Sequence, residues 1–271
     1  MKSKSLHFCI SHYDGDLEDL LNCIGQHEIT VYNKSGADIR PRKNARIVNI
    51  ENHGYNIYSY LSFIIDNYDK MPDRVAFIKS NIFPRHITKE LFSSYIASEE
   101  DFIPLTNKGR WQELRWPQSF SGEDNMLYEL NNSWYRYRHK PNYFDNYNEF
   151  FRVYFEDSVI RGAPIYLRFA PGANYIVSRD RILKGTKWFY KNLRDTVEGY
   201  QLSCESHYIE RSLGLIWDSK VKFSEKSQSG PITPLKKEQT KWNEGLSWIR
   251  FKVMSIFLKI GGMMARTSLE R

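Results

Sequence analysis

The sequence predicts an α/β fold: an open, mostly parallel, twisted sheet with helices on its flanks. Three observations lead there. Short β-prone apolar runs recur through the first half, each closes in a polar loop, and stretches with helical spacing lie between them. Parallel neighbours require such crossovers, because a tight hairpin joins only antiparallel strands.

Taken in order, Leu6-His-Phe-Cys-Ile-Ser11 reads as the first strand, followed by the turn chemistry of Tyr13-Asp-Gly-Asp16 and a helix over 16–25. Glu28-Ile-Thr-Val-Tyr32 is the second strand and stops at Asn33-Lys-Ser-Gly36; Ala45-Arg-Ile-Val-Asn-Ile50 is the third and stops at Asn52-His-Gly54. From Tyr55, the residues Ile57, Tyr60, Leu61, Ile64, Ile65 and Tyr68 keep helical spacing, and a fourth strand, Arg74-Val-Ala-Phe-Ile78, follows Met71-Pro-Asp73. Residues 100–160 are rich in Trp, Tyr, Asn and Arg without clear periodicity, and read as an insertion or acceptor-side flank. Strands return at 165–169 and 175–178 around Ala170-Pro-Gly-Ala-Asn174, and helices are expected over 179–198 and 204–217. One domain, 1–218, is thus followed by a Ser, Lys, Gly and Pro linker over 219–240 and a tail over 241–271.

Composition narrows the function. Cys9, Cys23 and Cys204 form no metal-ligand spacing and cannot all pair, which favours a reducing compartment, and the N-terminal apolar run is too short for a signal-peptide core, so a cytoplasmic location is expected. The net charge of +7 suggests an anionic partner, but the whole excess lies beyond residue 219. A nucleic-acid binder would carry its basic stripe on the folded body, so nucleic acid is not expected as a partner. No Gly-X-Gly-X-X-Gly, P-loop or Gly-X-Ser-X-Gly segment is present, which argues against dinucleotide redox chemistry, P-loop NTPases and serine hydrolases of the nucleophile-elbow type.

Ligands of a doubly wound sheet bind outside the carboxyl ends of the strands. Here those ends carry Ser11, His12, Tyr13 and Asp14; Asn33, Lys34 and Ser35; Asn52, His53 and Gly54; and Lys79, Ser80 and Asn81. Turn chemistry accounts for Asn, Ser and Gly in any one loop, but four loops that together carry His, Lys and Asn point to a site. In the middle of the chain, Trp111, Arg115, Trp116, Trp134, Tyr135, Arg136, Tyr137, Arg138 and His139 either stack sugars or bases or cover the sheet; covering is the better reading for most of them.

The order of Cys9-Ile-Ser-His-Tyr-Asp14, Ile29-Thr-Val-Tyr-Asn-Lys-Ser-Gly36, Asn52-His-Gly-Tyr55, Asp66-Asn-Tyr-Asp69, Pro72-Asp-Arg-Val-Ala-Phe-Ile-Lys79, Asn81-Ile-Phe-Pro-Arg-His86 and Pro171-Gly-Ala-Asn-Tyr-Ile-Val-Ser-Arg179 resembles an uncharacterised family of bacterial and fungal proteins. That family carries Tyr-Asn-Lys-Gly and Gly-Ala-Asn-Phe-Ala-Val-Ser-Arg motifs, and the likeness spans about residues 6–217. Its layout is similar to that of GT-A-type glycosyltransferases, whose first half is a nucleotide-sugar-binding sheet. The resemblance implies a donor site formed by Ser11, His12, Tyr13, Asn33, Lys34, Gly54, Lys79, Asn81 and His86, and an acceptor side at Gly172, Asn174 and Arg179. It also implies a base near the start of the 204–217 helix, with Glu205 first and His207 second; Glu210 and Arg211 read instead as a structural ion pair. Such enzymes hold Mn2+ or Mg2+ on an Asp-X-Asp at the end of the fourth strand, where this chain has Phe77-Ile-Lys-Ser-Asn81. Lysine and asparagine do not replace paired carboxylates for a hard cation, so no metal ligands are assigned, and Lys79 is expected to meet phosphate directly.

In the tail, Leu246, Ile249, Val253, Ile256, Phe257 and Ile260 keep helical spacing among Lys241, Arg250, Lys252, Lys259 and Arg266. This predicts a basic amphipathic helix over 241–266 lying on an anionic membrane surface; its competitors are packing against the body and dimerisation. The expectation is a glycosyltransferase that moves a sugar from a nucleotide-sugar to a glycan or lipid-linked acceptor in surface polysaccharide assembly (O-antigen or capsule type), peripheral at the inner membrane face. The alternative is a non-catalytic nucleotide- or carbohydrate-binding scaffold on a degenerate GT-A-like fold.

Overall fold

A computed structural model describes residues 4–107, 119–156 and 166–232. The expected tail helix, Trp111, Arg115 and Trp116 lie outside the described residues.

The leading strands are β1 (Leu6–His12), β2 (Glu28–Asn33), β3 (Ala45–Asn49) and β4 (Arg74–Lys79), with helices α1 (Leu17–Ile24) after β1 and α2 (Tyr55–Asp66) after β3. Then come α3 (Lys89–Ala97), β5 (Phe102–Pro104), β6 (Ser119–Ser121), β7 (Leu127–Leu130), α4 (Tyr135–Arg138), α5 (Tyr147–Tyr154), β8 (Tyr166–Phe169) and β9 (Tyr175–Ser178). The helices α6 (Arg179–Ile182), α7 (Lys187–Asp195), α8 (Cys204–Ile216) and α9 (Glu225–Ser229) close the described chain.

The main sheet has the order β3-β2-β1-β4-β9-β5, with β1 to β4 mutually parallel and β9 antiparallel to both its neighbours. The mixed, mostly parallel sheet flanked by helices therefore stands as expected. Strand order reverses between β1 and β4, because β2 and β3 extend outward on one side of β1 and the chain returns to its other side. The 165–169 strand joins a different, antiparallel sheet, β6-β7-β8, and β5 of the supposed insertion belongs to the main sheet.

Period-two alternation divides the core. Phe8, Ile10, Ala76, Ile78 and Ile176 pack on the face covered by α1 and α3, whereas Cys9, Val75, Phe77, Tyr175 and Val177 pack on the face covered by α2, α7 and α8. Phe77 stacks on fully buried Trp217 at 5.1 Å and 11°. Helix starts follow local chemistry: Asp16 accepts from Asp19 N, Thr88 from Leu91 N, Thr186 from Phe189 N and Ser203 from Ser206 N. The helix expected over 179–198 is two helices, separated by Leu183–Thr186.

The segment expected as a linker from residue 219 is packed as far as Ile232. Asn192 donates to the carbonyls of Ser227 and Gly230 and accepts from Ile232 N, so one buried amide fastens that stretch to α7.

Candidate functional site

A cavity of about 270 Å3 opens at the carboxyl ends of β1, β2 and β4. Ser11 of β1 with Tyr13 and Asp14 just after it, Lys34 just after β2, and Lys79 at the end of β4 with Ser80, Asn81 and Arg85 of the following loop line it. Asn52, Tyr55 and Asn56 at the start of α2 and Gln201 and Leu202 from a distant loop complete the wall. The position is the strand-order reversal between β1 and β4, where diverging crossovers leave a crevice.

The base of the cavity is rigid. Parallel hydrogen bonding runs past the strand ends, with Lys34 N on His12 O at 2.8 Å and Ser80 N on Ser11 O at 3.1 Å. Ser11 Oγ lies 3.0 Å from Ser59 Oγ, and Asn81 Nδ2 donates to Asp14 Oδ1 at 2.9 Å. Lys79 N donates to the fully buried Asn174 Oδ1 at 3.1 Å, which fixes the end of β4 against the 171–174 loop.

Positive charge dominates this base. Lys34 is buried, and its ammonium donates to His53 O and Tyr55 O; burial lowers its pKa from the ordinary lysine value to about 7. Burial also lowers the pKa of Lys79, opposed by the Glu210 charge and aided by Arg85. Among the described residues, Asp14 is the one carboxylate that lines the cavity. The first turn of α2 has neither a side-chain cap nor an acidic residue, which leaves the positive end of its dipole open beside Tyr55 and Asn56. At the mouth, Tyr13 and Leu202 are 56% and 48% exposed, among the few large apolar side chains of the described residues so open to solvent.

Several expected residues support the site from behind. Asn33 Nδ2 donates to Ala37 O and Asn49 Oδ1 while Asn33 Oδ1 accepts from Ser35, so this side chain shapes the loop that presents Lys34. His12 is buried beside the site; burial lowers its pKa, and its Nδ1 meets no hydrogen-bond partner in the described residues. Gly54, at φ +52°, donates to Tyr200 O at 2.7 Å, and a Cβ there would lie 2.8 Å from Val197 Cβ. Its small size thus lets the loop bearing Gln201 and Leu202 dock on α2. Gly172 was expected to admit a ligand, but the close approach is internal: a Cβ at its φ of +80° would lie 2.7 Å from Cε1 of buried His86.

Two expected residues stand apart from the cavity. Arg179 follows β9, which runs antiparallel, so it emerges at the opposite rim and pairs with Asp73 at 2.7 Å. Glu205 is fully buried, and its carboxylate accepts from the backbone N–H of Asn142 and Tyr143 at 2.8 Å each and of Phe144 at 3.4 Å. It locks the 142–144 turn onto α8 and presents no free oxygen to a substrate.

His207 sits nearer. Its ring lies 5.1 Å from that of Tyr55, 4.9 Å from His139 and 4.1 Å from Tyr135, with Nδ1 3.6 Å from Glu210 Oε2. Burial, then His207 and Arg138, lower the pKa of His139 to about 4. Glu210 also accepts from Gly172 N at 2.8 Å and pairs with Arg211, which reaches Glu129 at 3.0 Å, so the expected ion pair is present. Tyr135 of the central aromatic stretch packs on this cluster and covers α8 rather than lining the cavity.

Sequence reasoning missed Tyr55, Asn56, Arg85, Gln201 and Leu202. Arg85 had a usable signal, a third cation in the loop after β4; Gln201 and Leu202 had none, since only tertiary docking brings them in. The implied Asp-X-Asp metal does not fit the residues present: one carboxylate faces three cations, and among the described residues no group of three or more His, Cys, Asp or Glu is placed to hold an ion. No helix among the described residues is long and apolar enough to cross a membrane. Comparison with curated proteins and with solved structures gave no match. A family model does match over residues 20–231, a span that takes in β2 to β4, Lys34, Lys79, Arg85 and the Tyr55–His207 cluster, and the chain therefore belongs to the family described as protein of unknown function (DUF3431).

Proposed function

We propose that this protein is a glycosyltransferase that uses a nucleotide-activated sugar. The observation that carries the reading is the convergence of Lys34, Lys79 and Arg85 with exposed Tyr13 in one cavity at the strand-order reversal. Cations suit a diphosphate, an exposed aromatic face suits a base, and the crevice is where sheets of this kind hold nucleotides. The GT-A-like layout read from the sequence motifs is consistent with this and remains an argument from analogy.

In the proposed reaction an acceptor hydroxyl oxygen bonds to the anomeric carbon of the donor sugar. The bond from that carbon to the diphosphate oxygen breaks, and its electron pair leaves with the diphosphate. The acceptor proton passes to a base, for which His207, with Glu210 beside Nδ1, replaces Glu205 as the first candidate. Acceptors are glycans or lipid-linked glycans of surface polysaccharide, approached from an inner membrane face to which residues 241–266 attach.

Thermal shift against a panel of nucleotide diphosphate sugars, followed by transfer assays on those that stabilise, tests the reading. Stabilisation with turnover that His207→Gln abolishes while binding persists supports it. The commitment of Glu205 to backbone amides favours a second reading, a non-catalytic nucleotide-binding scaffold, and stabilisation without turnover selects that one. No stabilisation by any nucleotide overturns both. Loss of sedimentation with anionic liposomes on shortening the chain to residue 232 tests the membrane role of the tail; unchanged sedimentation refutes it.

A further inference from the structure

We propose that the cavity binds a diphosphate through its own cations, Lys34, Lys79 and Arg85, with no divalent ion between protein and phosphate. The inference rests on the donor-site reading above and specifies how that site handles charge.

Three features carry it. First, Lys79 and Arg85 line the cavity and neither has an ion pair among the described residues; Glu210 and Asp14 act on Lys79 only from beyond ion-pair distance. Second, Lys34 is held by two backbone carbonyls, of His53 and Tyr55, which orient the ammonium 5.8 Å from the centre of the Tyr58 ring, with its third N–H group in no hydrogen bond among the described residues. Third, those carbonyls flank the start of α2, whose first turn lacks a side-chain cap and contributes Tyr55 and Asn56 to the cavity lining, so the positive end of its dipole lies beside the cavity. Against this, Asp14 is the sole lining carboxylate among the described residues, and Asn81 Nδ2 already bonds it. A hard divalent cation requires several oxygen ligands, and here it would sit among three positive groups with one carboxylate to hold it. A diphosphate of two or three negative charges matches the three cations directly.

Titration calorimetry of the full chain with inorganic pyrophosphate, UDP and farnesyl diphosphate, each in EDTA and in Mn2+, decides the matter. Pyrophosphate is expected to bind in EDTA and no more tightly in Mn2+. Lys79→Ala and Arg85→Ala each weaken it by about ten-fold or more, whereas Lys79→Arg, with unchanged melting temperature, keeps it within about three-fold. Tighter binding of UDP than of pyrophosphate, reversed by Tyr13→Ala, identifies a nucleotide as the source of the diphosphate; preference for farnesyl diphosphate identifies a lipid carrier. Binding about ten-fold tighter in Mn2+, or affinity unaffected by both alanine variants, overturns the proposal. Failure of pyrophosphate to bind under either condition also overturns it. Metal-free UDP binding without sugar transfer leaves the cation clamp standing and removes the transferase; transfer that requires Mn2+ does the reverse.

Discussion

The two rims of the main sheet handle charge in opposite ways. At the amino end of β4, Asp73 accepts from Ser5 N at 3.0 Å and Ser5 Oγ at 2.9 Å and pairs with Arg179, Arg74 donates to Ser98 O, and Lys4 pairs with Asp101. The Ser5 hydrogen bonds, then Arg179 and Lys4, hold the Asp73 carboxyl below its ordinary pKa. At the carboxyl end, Lys34, Lys79 and Arg85 gather around a cavity with one carboxylate. One rim is compensated and serves structure. The other leaves cations without contacting counter-ions among the described residues at the cost of lowered lysine pKa values, an arrangement that a bound anion would relieve.

The largest effect should come from a residue outside both rims. Glu205→Ala strands three backbone N–H groups in the interior and should destabilise the protein by about 3 kcal/mol, measured by urea unfolding, while pyrophosphate affinity of the folded fraction holds. A loss of binding without a loss of stability would return Glu205 to the site. Next, Lys79→Ala should weaken pyrophosphate by about 2 kcal/mol, near thirty-fold, whereas Arg179→Ala should leave it unchanged. Equal losses would erase the distinction between the rims.

The pH dependence sharpens the same contrast. Because the folded pKa of Lys34 is lowered to about 7, the unfolded chain binds the extra proton between that pH and the ordinary lysine value. The Lys34 contribution to stability therefore rises with pH across that window, while anion affinity rises as pH falls through about 7. Lys34→Met should flatten both slopes in thermal and calorimetric titrations. At the paired rim, Asp73 has a lowered pKa, so its contribution is present above the ordinary aspartate value and fades as pH falls through the folded one. Asp73→Asn should flatten that acid limb, cost less than about 1 kcal/mol because the Arg179 pair is exposed, and leave anion binding unaltered.

Much of the architecture was legible because it rests on short-range rules. Phe8 and Ile10 alternate with Cys9, Asp16 and Ser203 announce helix starts, and Ser11, Lys34 and Lys79 stand at strand ends where a parallel sheet opens its crevice. Arg179 was placed on the acceptor side by the family resemblance, and a motif does not show which way its strand runs; the antiparallel pairing of β9 sends it to the other rim. Glu205 misled because an acidic residue in the first turn of a helix suits catalysis, a dipole and a turn lock alike, and the 142–144 amides that claim it lie far away in the chain.

By itself the amino-acid sequence determined the repeating strands and helices, the location of the polar strand ends and two of the three cations that line the cavity. Tertiary structure alone decided that Gln201 and Leu202 join the cavity wall and that His207 rather than Glu205 stands beside Tyr55. The reason is physical. Hydrogen-bonded periodicity and capping act over a few residues and leave a local signature, whereas counter-ion supply and burial depend on which distant segments the packed core brings into contact.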